Sequence, residues 1–179
     1  MAISNSVRSR RIANRQTEAK QQLITFKIRG ERFAIPVTAV RKVIPIAEIY
    51  GDPQQTGISL THYQGQEILV VDVGHRIFAE ALSTETALGE ALLELSTATL
   101  SPDLKQQECL VLIQDPEGGV VGVPIDSQPA ILWASQSQIN PLPSSYLNRG
   151  NINAVTSMVV DESGAASYFL LDPEQISMA

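Results

Sequence analysis

Alternation of apolar and polar residues begins at Leu23. The run LITFKIRGERFAIPV keeps it on both sides of Arg29-Gly30-Glu31, which predicts a β-hairpin closed by a short glycine turn. Pro36 interrupts the return strand. Proline donates no ladder hydrogen bond, so an edge strand or a bulge is expected there. Residues 37–46 continue with Val40, Val43 and Ile44 apolar beside the charged Arg41 and Lys42, a half-exposed segment whose apolar face must meet something. Tyr50-Gly51-Asp52-Pro53 to Gly57 is a loop by composition. Residues 58–71 predict a second hairpin turning at Gln64-Gly65. Its return strand, EILVVDV, is almost continuously apolar, so both of its faces should be covered.

The pattern repeats. ERFAIPVTAVRKVI (31–44) aligns without a gap on GVVGVPIDSQPAIL (119–132), with Ile35-Pro36-Val37 on Val123-Pro124-Ile125 and Val43-Ile44 on Ile131-Leu132. Extended backwards, the alignment places Leu23-Ile24-Thr25 on Val111-Leu112-Ile113. Further along, the QEILVVD segment ending in Asp72 resembles the ASYFLLD segment ending in Asp172. Two similar halves in a chain this short indicate one duplicated body rather than a solenoid, which needs three or more stacked units. Prolines at equivalent points suggest that each half uses a bend to wrap a small sheet into a barrel. Asp72 and Asp172 each end a strand, and Asp172 precedes Pro173-Glu174-Gln175, a conventional helix start. Both aspartates are therefore read as caps of short helices in preference to a pair of catalytic carboxylates. Between the halves, Ala87, Leu88, Ala91, Leu92 and Leu95 recur at helical spacing opposite Glu85, Glu90 and Glu94, which predicts an amphipathic connector helix over roughly 83–100. It either packs on the body or offers a docking surface. A last hairpin is expected from Ala154–Val160 and Ala166–Leu171, turning through Asp161-Glu162-Ser163-Gly164.

Composition narrows the function classes. A net charge of -6 argues against a body that coats nucleic acid, because phosphate binding needs surplus Lys and Arg. The first twenty residues differ from the rest: Arg8, Arg10, Arg11, Arg15 and Lys20 face only Glu18, so a disordered basic arm is expected over 1–20. Its richness in Arg and Ser also faintly resembles an organellar transit peptide. No secretory apolar segment follows the start, and no apolar run approaches the roughly twenty residues that span a bilayer, so no direct membrane insertion is expected. The single cysteine, Cys109, forms no internal disulfide. In the run CLVLI it is read as a small buried hydrophobe, which fits a reducing, cytoplasmic setting.

Catalytic chemistry has few candidates. His62 and His75 are the only histidines, and neither has a partner at metal-ligand spacing; no GxSxG, P-loop or GxGxxG occurs. The expectation is a protein without catalytic residues, metal or cofactor, whose function lies in a protein-binding surface. The competing reading of its chief candidate is structural: Val40, Val43 and Ile44 seal a barrel end.

At LITFKIRGERFAIPVTAVRKVI, YQGQEILVVDV and VVGVPIDSQPAIL, with Gly65, Asp72, Gly122 and Asp126 in place, the chain resembles the CheW family from about Leu23 to Asp172. The resemblance implies two packed SH3-like β-barrels, a first over roughly 23–80 and a second over roughly 108–172, within a domain of 21–179. It implies a non-enzymatic adaptor in two-component, chemotaxis-type signalling. The implied partners are the regulatory domain of a CheA-like histidine kinase, which has the same barrels and pairs barrel to barrel, and the cytoplasmic tip of a methyl-accepting receptor, at membrane-associated receptor arrays. Family contacts carried over residue by residue fall on Val37, Val40, Lys42, Val43, Ile44, Gln64, Gln66 and Val73, with Glu48 and Arg76 beside them. Lys42 stands where members usually have Glu, and Gln64 where they usually have Arg. These departures imply a divergent adaptor, as in surface motility or phototaxis, since rim charges set partner choice more than fold. The rival expectation is a stand-alone module of a motility apparatus that binds another partner through the basic arm or the connector helix.

Overall fold

The computed structural model describes residues 19–52, 56–77, 108–115, 118–147 and 154–177. The arm expected over 1–20 lies outside the described residues as far as residue 18, and so does the connector helix expected at 83–100. β1 (Lys20–Ile28) and β2 (Glu31–Pro36) form the first hairpin, followed by a 3-10 turn (Val37–Ala39), β3 (Val40–Pro45), β4 (Ile49–Tyr50), β5 (Ile58–Tyr63) and β6 (Gln66–Val71). Residues 73–77 are helical. The second half repeats this order with β7 (Cys109–Gln114), β8 (Val120–Ile125), β9 (Ala130–Ser135), β10 (Ile139–Pro141), β11 (Val155–Val160), β12 (Ser167–Leu171) and a closing helix, Pro173–Ser177.

Two turns set the early hairpins. Arg29 and Gly30 have φ of 51° and 83°, and Gln64 and Gly65 have 52° and 79°. Two successive left-handed residues match the twist of the flanking strands, which is why glycine stands second in both. The expected caps also form. Asp72 accepts the N–H of His75 at 2.7 Å, and Asp172 accepts that of Glu174 at 3.0 Å.

The sheets cross between the halves. One runs β10-β11-β12-β2-β1-β9 and the other β3-β7-β8-β6-β5-β4, so β1-β2 sits between β9 and β12, and β7-β8 between β3 and β6. Each hairpin is inserted into the sheet of the other half. The contiguous division into a first barrel over 23–80 and a second over 108–172 is thereby corrected: both barrels take strands from both segments. The joints are parallel, Phe33 opposite Phe169 and Val121 opposite Leu69. Parallel neighbours need long crossovers, so no local turn signal announces them. Each sheet curls because its edge strands are close in sequence: β9 and β10 are joined by a 3-10 turn (Gln136–Gln138), where Gln138 Nε2 donates to the Val160 carbonyl at 3.0 Å.

Register also corrects the repeat. Phe26 pairs with Phe33 and Ile113 with Val121, so Phe26 is equivalent to Ile113, whereas the ungapped alignment placed Thr25 there. The second turn, between Asp115 and Gly119, holds one residue more than that between Ile28 and Glu31. With the shift, Ile24 matches Val111, and both face the core between the sheets.

The prolines are not at edges. β2 and β8 are internal strands, and each proline lies two residues past the last parallel pair: Pro36 after Ala34, Pro124 after Gly122. The missing N–H falls where that ladder has already ended, which satisfies the same constraint by a different route.

The largest core cluster joins the sheets, with Phe26, Phe33 and Ile35 on one side and Val71, Val111, Val121 and Val123 on the other. Smaller clusters fill each barrel, Ile44, Val70 and Leu110 in one and Leu23, Ala34 and Val159 in the other. β6 contributes Val71 to the shared core and Ile68 and Val70 to its own barrel, so both faces are covered, as its unbroken apolar run predicts. Cys109 is only partly buried, packed against the shared core.

The exchange has a consequence for fragments. A piece ending at residue 80 retains β1 and β2 but loses β9 and β12, their outer partners on both sides. It is expected to give no cooperative thermal melt, whereas the full chain unfolds in one transition. A fragment that melts cooperatively with native-like circular dichroism would contradict the exchange.

Candidate partner-binding surface

The segment proposed from sequence divides by burial. Ile44 is 4% exposed and lies inside its barrel, and Val73 is 1% exposed in the shared core. Neither presents its side chain to a partner, which corrects that expectation for these two. Val40 and Val43 are partly buried against the shared core and so help to seal it, and Val37 is half-buried in the 3-10 turn. A bulge between Val40 and Lys42 reorients the strand.

Beyond the bulge the surface is polar. Lys42 is exposed, donates to Tyr63 Oη at 2.6 Å and stands over that ring at 5.3 Å, an arrangement that ties β3 to the turn of Gln64. The two positions that depart from the family pattern are thus joined through one tyrosine. Gln64 and Gln66 are exposed beside it. Further along β5, Tyr50 Oη hydrogen-bonds His62 Nδ1, with the rings stacked at 5.4 Å. Partial desolvation and the charges of Glu67 and Glu48 raise the Tyr50 phenol above its ordinary range. Glu48 is exposed, its carbonyl accepting from Thr61 Oγ1 at 2.9 Å; Arg76 is half-buried.

Arg29 ties the turn of the first hairpin to the other sheet. Its guanidinium reaches Asp72 at 3.2 Å, and its backbone N–H donates to Asp126, so two aspartates of the family pattern fix one turn. Gly74 is needed here, since a Cβ would stand 2.6 Å from Ile28 Cγ2. Such positions hold barrels together.

The largest exposed apolar side chains lie elsewhere. Ile131 is 66% and Trp133 51% exposed, two residues apart on one face of the edge strand β9. They line an open groove of about 650 Å³ together with Lys20, Asp161, Glu162 and Ser163. Ile131 pairs with Ile24, which packs against the shared core, so the two side chains share one face of the sheet. Partial desolvation raises the Asp161 carboxyl, but hydrogen bonds from Ser163 and from the N–H groups of Ala165 and Ala166 outweigh it, leaving the group below the usual carboxylate range. Asp161 therefore keeps its negative charge to lower pH than an ordinary carboxylate. Trp133 belongs to none of the sequence motifs that point to a binding surface. Its signal was present in AILWAS, where Ala130, Leu132 and Ala134 account for one strand face and leave Ile131 and Trp133 together on the other.

Among the described residues no three His, Cys, Asp or Glu side chains gather to hold a metal, and no helix is long and apolar enough to cross a membrane. What these residues build is a pair of β-barrels bearing one apolar and one polar surface. The model of the CheW-like domain matches residues 22–178, and the chain belongs to that family. Its members are scaffolds of chemotaxis-type signalling and not enzymes. The crystal structure of the scaffolding protein TtCheW from Thermoanaerobacter tengcongensis is similar at a TM-score of 0.60 and 14% identity, over 88% of this chain and 92% of that one. At that identity the likeness establishes the fold, mostly β with two SH3-like units. No curated protein sequence matches the chain.

Proposed function

We propose that the protein is a non-enzymatic adaptor that couples the cytoplasmic tip of a methyl-accepting receptor to a CheA-like histidine kinase, at receptor arrays on the cytoplasmic side of a membrane. The observation that carries this is the exposed pair Ile131 and Trp133. A strand that leaves an isoleucine and a tryptophan exposed lacks a cover among the described residues, and an apolar face with a charged rim suits the amphipathic helices of a receptor tip. The kinase regulatory domain, made of the same barrels, pairs with the adaptor barrel to barrel. Lys42, Gln64 and Gln66, exposed and linked through Tyr63, select among receptors by charge, with Val37, Val40 and Val43 as apolar support. Such selection is the work of rim groups, which tune specificity more than total affinity. Their departure from the family pattern fits a receptor of a surface-motility or phototaxis pathway.

The test is the double substitution Lys42→Glu with Gln64→Arg. It is expected to change affinity for the native receptor tip about tenfold, the scale of a 1.4 kcal/mol difference, without altering the melt. Unchanged affinity would remove these residues from the receptor contact.

A further inference from the structure

The groove at Ile131 and Trp133 adjoins the point where the chain enters its sheet. Lys20 is the first residue of β1, stands opposite Ser135 of β9, and pairs through its ammonium with Glu162. Lys20 lines the groove that holds both exposed apolar side chains, so β1 begins at that rim, and residues 1–18 precede it in the sequence. Their chemistry is the complement of that rim. Arg8, Arg10, Arg11 and Arg15 are opposite in charge to Asp161 and Glu162 of the rim, of which Glu162 is shared with Lys20, and Val7 and Ile12 stand before and between these arginines in the sequence.

We propose that the basic segment before Lys20 folds back over β9 of its own chain, setting Val7 and Ile12 on Ile131 and Trp133 and its arginines against Asp161 and Glu162. Reach is ample. Trp133 is opposite Gln22, and the eight residues from Ile12 to Lys20 extend to about 26 Å at roughly 3.3 Å each. Tethering supplies the rest, because a short linker holds the segment at an effective concentration on the order of millimolar, so even a weak contact is occupied. Arginine over the tryptophan face adds a cation–π attraction, and the acidic rim selects a basic segment over an acidic one. Attraction of this kind is screened by salt.

The contact gives the adaptor a built-in competitor. If the receptor tip uses the β9 face, the arm must leave before the receptor binds, and whatever neutralises or sequesters the arginines favours coupling. This regulatory consequence rests on the adaptor reading; the intramolecular contact does not.

Trp133 is the chain's one tryptophan, so its emission reports the groove alone. Three proteins are compared at low salt: the full chain, the full chain with Arg8, Arg10, Arg11 and Arg15 changed to Glu, and a chain starting at residue 19. Both altered proteins are expected to show red-shifted emission and an acrylamide quenching constant raised about twofold, as uncovering a half-exposed ring implies. The full chain in high salt should behave like them, and a synthetic peptide of residues 1–18 at millimolar concentration should restore protection to the shortened chain. Equal emission and quenching in all three proteins would overturn the proposal. So would protection that rises with protein concentration alongside a larger sedimentation coefficient, since the cover would then be a second copy. Receptor binding is not needed for any of these readings, so failure here and failure of the adaptor role are separable.

Discussion

Phe33→Ala is expected to lower the free energy of unfolding by about 3–5 kcal/mol, the range for deleting a buried phenylalanine ring. Phe33 is fully buried in β2, the strand at which the exchanged hairpin meets β12. Its ring lies 5.6 Å from that of Phe169, its parallel partner, and it belongs to the cluster that joins the sheets. The substitution therefore empties the seam as well as one barrel, and nearby strands held by ladders on both sides have little freedom to collapse inward. For a chain of this size the melting temperature should fall by roughly 6–20 °C, at about 2–4 °C per kcal/mol. Denaturant titration with Phe33→Leu alongside checks it, the leucine costing under about 1.5 kcal/mol if the site tolerates a conservative swap. A loss below about 1 kcal/mol for alanine would mean that β2 does not sit between the sheets.

Trp133→Ala should separate binding from folding. The side chain is half exposed on an edge strand, so its loss is expected to change stability by no more than about 0.5 kcal/mol, as for other surface positions. Against the receptor tip the same change is expected to weaken affinity about thirtyfold, corresponding to the roughly 2 kcal/mol that marks an aromatic hot spot. Ile131→Ser should act in the same direction, less strongly. Isothermal titration with a helical receptor-tip fragment measures both. Full retained affinity in Trp133→Ala would place the receptor on another face and leave the β9 groove to the chain's own arm.

Local elements were legible where local physics decides them. Arg29-Gly30 and Gln64-Gly65 carry their turn conformation in their own residue types, Asp72 and Asp172 cap helices within three residues, and the unbroken EILVVDV run announces a strand covered on both faces. The duplication was visible too, because both halves carry the same proline-bearing strand and the same aspartate cap. Partner choice between strands was not legible. β2 meets β12 across more than a hundred positions, in parallel, and no turn signal marks such a joint; the prolines then read as edge markers although they only follow the end of a ladder. The site was half legible for a related reason. Residue type places Val73 and Ile44 equally well in a core or an interface, and only the packing of the second sheet shows them to be interior. Exposure of Ile131 and Trp133 is likewise a property of what does not cover them.

The most direct test of the coupling role is whether one adaptor holds both partners at once. Purified protein is mixed with the regulatory domain of a CheA-like kinase and a receptor-tip fragment from the same genome, and the masses of the complexes are read by analytical ultracentrifugation. A ternary species containing all three, lost for the receptor alone when Trp133→Ala replaces the wild type, is the predicted result. Binding of neither partner by a folded protein, or strict competition between the two for one face, would contradict it.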